Sequence, residues 1–394
     1  MLSEKVVSNL KNSSSIRAMF EEGERLRNVY GDDKVFDFTL GNPDPEPPEL
    51  VKETLKRIIF EDKPGIHKYM SNAGYMDVRE KVAAQLSRET GVELSGKHIV
   101  MTCGAAGGLN VILKSILNPG EEVIIFAPYF VEYKFYIDNY NAKPVVVGPD
   151  PNTFEPDTGM LEEKITKNTK AVIINSPNNP SGVVYSEDTL KRMSGIIEAK
   201  EREYGTTIFV ISDEPYNKLV YDGLKLPSIL KIFKNSVTGN SFSKSLALPG
   251  ERIGYVAANP QIEEIDLLMD AMIFANRTLG YVNAPSIFQR VVADAVGEAV
   301  DAGIYEKRRD ILYNHLIKLG FSCIKPQGAF YLFPKALIPD DAEFVKRALK
   351  YNLLFSSGKG FGCPGYFRIA YCASMKTIEN SLPAFEALAN EFKA

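Results

Sequence analysis

Lys244 closes the run Ser241-Phe242-Ser243-Lys244, and Arg252 follows it in Leu248-Pro249-Gly250-Glu251-Arg252. A lysine amine can hold an aldehyde as a Schiff base, while a neighbouring hydroxyl and guanidinium hold a phosphate beside it. One cofactor carrying both groups, pyridoxal 5'-phosphate, fits that wiring. Upstream, Asp213-Glu214-Pro215-Tyr216 directly follows an apolar run at 207–211, so a carboxylate and a phenol stand where a buried strand ends. Ligands of open α/β sheets bind at such strand ends. An ionised Asp213 can pair with a protonated pyridine nitrogen and keep the ring an electron sink, and Tyr216 can donate to the ring oxygen. Asn179, in the Asn-Pro-rich turn 175–182 after another apolar run, can share that oxygen.

Each residue also has a plainer reading. Lys244 and Arg252 by default are solvated cations, Asp213 is a polar strand end, and the 175–182 segment is an Asn-Pro turn. Lys244 rises above that default because Phe242, Leu246, Ala247 and Leu248 surround it in sequence, and desolvation frees an amine from its proton. The segment Thr102-Cys103-Gly104-Ala105-Ala106-Gly107-Gly108 joins a strand-like run to a helical one, where small residues let backbone N–H groups approach a phosphate. It lacks the G-x-G-x-x-G spacing of a dinucleotide loop, which argues against a dehydrogenase. The weight lies in the order of these groups along the chain, each at or beside the end of a predicted strand.

Apolar runs at 98–101, 122–126, 144–147, 171–174, 208–211, 236–238 and 252–258 alternate with amphipathic stretches. Runs without polar alternation are buried on both faces, which predicts an α/β body with a mostly parallel seven-stranded sheet between helices. The proline-rich stretch 41–48 reads as a boundary, and helices are predicted over 261–276, 284–319, 341–351 and 375–393, with strands at 329–333 and 367–371. That tail forms a smaller α+β domain. The expected division is an arm with part of the small domain at 1–45, a large cofactor-binding domain at 46–290 and a small domain at 291–394.

With 394 residues, 45% hydrophobic and 24% charged, the chain has ordinary globular composition. A net charge of −4 without a basic stripe argues against nucleic acid as a partner. No stretch reaches the length of an apolar membrane span, so a cytoplasmic location is expected. The four cysteines and three histidines show no metal-ligand spacing, so no metal is expected and the thiols read as free.

Together these segments resemble the class I/II aminotransferases of PLP fold type I, the aspartate aminotransferase-like enzymes, over nearly the whole chain. The resemblance is carried by Gly41-Asn42-Pro43-Asp44-Pro45, Lys68-Tyr69, Gly74-Tyr75, the loop from Gly104, Pro128-Tyr129-Phe130, Asn175 to Gly182, Asp213-Glu214-Pro215-Tyr216, Ser241 to Lys244 with Arg252, Gly328 to Tyr331, and Phe367-Arg368-Ile369. It implies that Lys244 holds the cofactor and moves the proton, with Asp213 and Tyr216 as its catalytic companions. Ser241, Arg252 and the loop Gly104-Ala105-Ala106 would hold the phosphate, joined by Tyr69 from the other subunit of a homodimer with shared active sites. Phe130 would stack on the ring, and Arg368, with Gly41 and Asn179, would bind the substrate α-carboxylate. The implied reaction moves an amino group between an L-amino acid and a 2-oxo acid by a ping-pong route.

Departures from the family pattern fall where substrates are chosen. Ala106 stands where many aspartate-specific relatives carry a lysine, and Glu251 stands where an aromatic residue commonly precedes the phosphate arginine. Arg277 lies one residue from the position of a cross-subunit arginine that reads a distal carboxylate, and Thr278 occupies that position. Arg17, following a Ser13-Ser14-Ser15 helix start, is the other candidate for that role. Aspartate-type transfer is one expectation; a neutral or aromatic amino acid aminotransferase and a cystathionine β-lyase-like C–S β-lyase are the alternatives. A silent regulator on this scaffold is disfavoured, because about 30 leading residues leave no room for a stable DNA-binding domain.

Overall fold

The computed structural model describes residues 2–393, without the side chains of residues 11–18, 20 and 21. Seven strands form the central sheet: β2 (Ile99–Thr102), β3 (Glu122–Phe126), β4 (Lys143–Val147), β5 (Thr169–Asn175), β6 (Phe209–Asp213), β7 (Ser236–Ser241) and β8 (Gly254–Ala258). The short strand β1 (Phe36–Asp37) precedes them. The sheet order is β2-β8-β7-β6-β5-β3-β4, parallel throughout except that β8 runs antiparallel to both β2 and β7. Sequence had pointed to a mostly parallel sheet of seven strands, and that is what forms. Val123, Ile124, Val172, Ile174 and Ile211 are fully buried on alternating faces, which explains why polar alternation is missing from their runs. Each such side chain contributes roughly 1.5–3 kcal/mol of burial.

Because β8 is the one reversed strand, the carboxyl ends of β2, β3, β5, β6 and β7 meet along one edge. Register aligns Asn175 with Asp213, Asp213 with Gly239, and both Ser241 and Thr102 with Gly254. The segment between β7 and β8 hangs from that edge and carries both Lys244 and Arg252. The helix Gly104–Ile116 opens at the same edge, where its first N–H groups have no partners within the helix.

The C-terminal part contains a three-stranded antiparallel sheet of β9 (Tyr331–Leu332), β12 (Phe367–Ala370) and β11 (Ser356–Ser357). The strand β10 (Leu353–Leu354) pairs in parallel with β1. Phe38, Tyr216, Leu219 and Tyr221 pack into the same aromatic-rich core as Phe330, Phe355, Phe367 and Phe385.

Three sequence expectations need correction. The N-terminal helix runs from Glu4 to Tyr30 with Ser3 as its cap, so residues 13–17 lie inside a helix instead of starting one. The Arg17 side chain lies outside the described residues. The predicted helix 284–319 is two helices, Ser286–Ala295 and Ala302–Leu319, and Asp301 caps the second by accepting from Gly303 N. The helix predicted from 261 begins at Ile265. Among the described residues, no helix is long and apolar enough to cross a membrane, and no group of His, Cys, Asp or Glu is placed to hold a metal.

Candidate active site

Asp213, the last residue of β6, is buried at 5% exposure beneath the edge where the strands end. Its Oδ2 accepts a 2.6 Å hydrogen bond from the Tyr133 hydroxyl, while its buried Oδ1 has no partner in the chain. Burial raises this carboxyl from 3.8 to about 6, against the lowering effect of the Tyr133 bond. A buried carboxylate oxygen without a donor is costly unless a ligand supplies one, and a protonated ring nitrogen is such a donor.

Lys244 lies in the short helix Phe242–Ser245 that follows β7. Its Nζ donates to the Gly41 carbonyl at 2.6 Å and lies 5.6 Å from the centre of the Phe330 ring. Burial lowers this amine from 10.5 to about 8, reinforced by the Arg252 and Arg368 charges. A substantial neutral fraction near pH 8 follows, and only the neutral amine attacks an aldehyde or accepts a proton.

The prospective phosphate cradle is shaped by glycine. Gly104 has φ +73°, and a Cβ there would meet the Arg252 Nη2 at 2.8 Å. At Gly254 a Cβ would stand 2.4 Å from the Asn240 carbonyl and 2.9 Å from the Gly104 backbone. Side chains are thereby excluded from the meeting point of β7, β8 and the start of helix Gly104–Ile116. Arg252 itself has φ +52°, donates from Nη1 to the Pro249 carbonyl at 2.9 Å and is exposed. Ser241 is buried, and Ala105 and Ala106 occupy the first helical turn. The Arg252 guanidinium and the first N–H groups of the helix thus meet at one cradle, with Ser241 beside it in register with Gly254. Phe130 lies against Tyr133 in an edge contact, ring centres 5.6 Å apart at 82°.

A second set of residues comes from the C-terminal part. Arg368, on β12, donates to Asn179 Oδ1 at 2.9 Å and to the Thr39 carbonyl at 2.5 Å, between the rings of Tyr331 and Phe361. Its buried Nε has no partner. Tyr216 and Tyr331 share a 2.9 Å hydroxyl contact. Gly41 lies so close that a Cβ would stand 2.1 Å from the Tyr331 hydroxyl. Asn179 is therefore engaged with Arg368; the sequence had offered it both to the ring oxygen beside Tyr216 and to the carboxylate site of Arg368.

The chain brings Lys244, Asp213, Tyr216, Asn179, Gly41 and Arg368 into one connected constellation, with Gly104, Ala105, Ala106, Ser241 and Arg252 at the glycine-shaped cradle beside it. It leaves two sequence candidates outside. Tyr69 is 91% exposed. Arg277 is also exposed; it stacks on the Phe274 ring at 5.2 Å and makes no ion pair among the described residues. Sequence reading missed Tyr133, Thr39 and the Tyr331 hydroxyl as members of the site. Tyr133 lies three residues after Phe130 at the start of a helix, a spacing that could have flagged it.

The donor set fits pyridoxal 5'-phosphate: an orphaned buried carboxylate oxygen, a mostly buried amine, and an anion cradle too tight for side chains. Comparison with known proteins agrees. The family model described as "Aminotransferase class I and II" matches residues 33–385. A probable aspartate/prephenate aminotransferase of Aquifex aeolicus is 34% identical, with 94% of each chain covered. An aromatic-amino-acid aminotransferase of Thermococcus litoralis is 31% identical over 97% of each chain. The crystal structure of an amino transferase from Eubacterium rectale superposes with a TM-score of 0.96 at 40% identity, covering all of both chains. Sequence, fold and edge geometry converge on one conclusion: the chain belongs to the class I and II aminotransferases, enzymes that depend on pyridoxal 5'-phosphate.

Proposed function

We propose that this enzyme moves an amino group from an L-amino acid to a 2-oxo acid by double displacement, in a homodimer with shared active sites. The carrying observation is the juxtaposition of a readily deprotonated Lys244 with the orphaned oxygen of Asp213. The bound cofactor supplies an electron sink for the charge left when a substrate loses its α-proton. Arg368, with its free Nε, grips the substrate α-carboxylate, and Asn179 and Thr39 hold the guanidinium in place. Lys244 Nζ takes the α-proton and returns it to the opposite end of the reacting system. Asp213 stays ionised against the ring nitrogen, Tyr216 donates to the ring oxygen, and Ser241, Arg252 and the amides of Ala105 and Ala106 hold the phosphate.

Shared sites are supported by what lies exposed. The Tyr69 phenol makes no hydrogen bond among the described residues, and its loop is stapled to the end of helix Ile265–Thr278 and the segment after it. Asn283 donates to the Ser71 carbonyl at 2.7 Å, and Asn276 donates to the Asn72 carbonyl at 2.9 Å. That helix also leaves Leu267 and Phe274 exposed on one face beside Arg277. Tyr69 and Arg277 are thus offered together to a partner, Tyr69 for its phosphate and Arg277 for a substrate's distal carboxylate. Since Ala106 offers no cation, Arg277 is the route by which acidic donors such as aspartate are accepted, in keeping with the name of the Aquifex relative.

A half-reaction screen tests this reading. Amino acids are added singly to the holoenzyme, and the 2-oxo acid and aminated cofactor are quantified. Acidic donors should react fastest. Preference for neutral or aromatic donors would overturn the acidic assignment, and release of ammonia with pyruvate in place of amino transfer would overturn the transfer reaction.

A further inference from the structure

We propose that Tyr133 is a positioning residue of the cofactor site, holding the Asp213 carboxylate by one oxygen so that the other is left for the cofactor ring nitrogen, while its ring braces Phe130. The inference rests on the aminotransferase reading above and adds a residue to its machinery.

Three observations carry it. The Tyr133 hydroxyl spends its proton on Asp213 Oδ2 at 2.6 Å, and Tyr133 and Asp213 are 2% and 5% exposed, so water does not compete. A short bond from a phenol to a buried carboxylate is of the strong, charge-assisted kind. Second, it fixes which oxygen stays free, since Oδ1 is without a donor. Third, Tyr133 is tied to Phe130 twice: by the edge contact of the rings, and by a backbone bond from Tyr133 N to the Phe130 carbonyl at 3.1 Å. One side chain thereby sets the orientation of the acid that would meet the ring nitrogen and braces the aromatic expected to stack on the ring.

A tyrosine that merely satisfied its hydroxyl in the core would not affect the charge of Asp213. This one does, because its hydrogen bond favours the ionised carboxylate against burial. Of the groups facing Asp213, Tyr136, Tyr216 and Glu214 are raised by its charge but make no hydrogen bond to the carboxylate, and the Asn175 amide binds the Asp213 main-chain carbonyl at 2.9 Å. Tyr133 is the only hydrogen-bond donor to the carboxylate among the described residues.

The test compares holoenzymes carrying Tyr133→Phe, 3-fluorotyrosine at position 133, and Tyr140→Phe. The last removes a different, half-buried phenol bond, 2.9 Å to the Asn110 carbonyl. For each, the first half-reaction is followed across pH, and the cofactor-free protein is titrated with pyridoxal 5'-phosphate to give its Kd. Tyr133→Phe is expected to raise that Kd and Tyr140→Phe to leave it unchanged; an unchanged Kd in Tyr133→Phe counts against the proposal. Tyr133→Phe is also expected to lower the maximal rate of the half-reaction by roughly 10- to 100-fold, the loss typical of a hydrogen bond to a charged group, with little change in KM. Its acid limb should move to higher pH, because Asp213 loses the donor that favours its charge. The more acidic fluorophenol donates more strongly and should move the limb to lower pH, while Tyr140→Phe leaves it in place. An acid limb unmoved in both Tyr133 variants overturns the proposal; if the phenylalanine variant does not fold, the fluorotyrosine result decides alone. Failure of the wild type to transfer amino groups from any donor would instead overturn the reading of the reaction.

Discussion

Lys244 and Asp213 are the residues on which chemistry depends most directly, and each gives a sharp expectation. Lys244→Ala keeps the phosphate cradle and should retain the cofactor noncovalently, yet borohydride should no longer fix it to the chain and turnover should vanish; covalent labelling of the variant would show that another lysine is the anchor. Asp213→Asn should slow the first half-reaction by more than about tenfold, ~1.4 kcal/mol in the barrier, since an amide cannot hold the ring nitrogen protonated. The same substitution has a signature in the cofactor-free protein. Burial raises the Asp213 carboxyl from 3.8 to about 6, so between those values the folded state holds a proton that the unfolded state releases. Stability of the cofactor-free protein therefore falls as pH rises through that window, and thermal unfolding of Asp213→Asn should show a flatter pH dependence there. Residue types at strand ends made Lys244, Asp213, Tyr216, Arg252 and Arg368 visible in sequence. Tyr133, Thr39 and the Tyr331 hydroxyl were missed, because the Tyr331 phenol in an apolar run looks like core, a carbonyl has no sequence signature, and the three-residue spacing of Tyr133 from Phe130 gains meaning only beside Asp213. Only the fold shows where their hydrogen bonds go.

Elements bring these residues within reach of one another, and the reversed strand β8 is the element that matters most. By pairing Gly254 with Ser241, it anchors both ends of the segment bearing Lys244 and Arg252. Gly254→Ala should force a Cβ into the Asn240 carbonyl and the Gly104 backbone, where nothing flexible can yield. A stability loss of about 1–3 kcal/mol is expected, as for other overpacked sites, with weaker cofactor retention than in a Gly250→Ala control, where no atom lies within 4 Å of the added Cβ. Calorimetry and equilibrium dialysis measure the two effects; equal behaviour of both variants would refute the account. The seven strands were legible because burial on two faces leaves continuous apolar runs. Helix limits were less so. The break between Ala295 and Ala302 hangs on the Asp301 cap, and the N-terminal helix starts at a serine far upstream of the more conspicuous serine triplet.

At the scale of the molecule, the exposed Tyr69 and Arg277 mean that one chain is expected to be an incomplete enzyme. Inactive Tyr69→Ala and Lys244→Ala subunits, exchanged with each other, should regain activity through hybrids in which one site has both residues; proven exchange without activity would refute shared sites. Arg277→Ala should lower kcat/KM for acidic relative to neutral donors by roughly 10- to 100-fold, the loss of one charge-assisted bond, as competition kinetics would show. This level was the least legible in sequence, because the contacts proposed for Tyr69 and Arg277 would lie beyond a single chain. The pairing of β1 with β10 has a consequence for how the molecule is made. Phe36 and Asp37 find their strand partners only at Leu353 and Leu354, and the adjoining Thr39 and Gly41 meet Arg368 and Lys244. On a ribosome adding about 5–20 residues per second, the segment at 36–41 must wait for residues more than 300 positions later before it can dock. A nascent chain stalled short of Leu353 lacks the partners of its substrate clamp, so competence for catalysis should arrive only once residues 353–368 have been made.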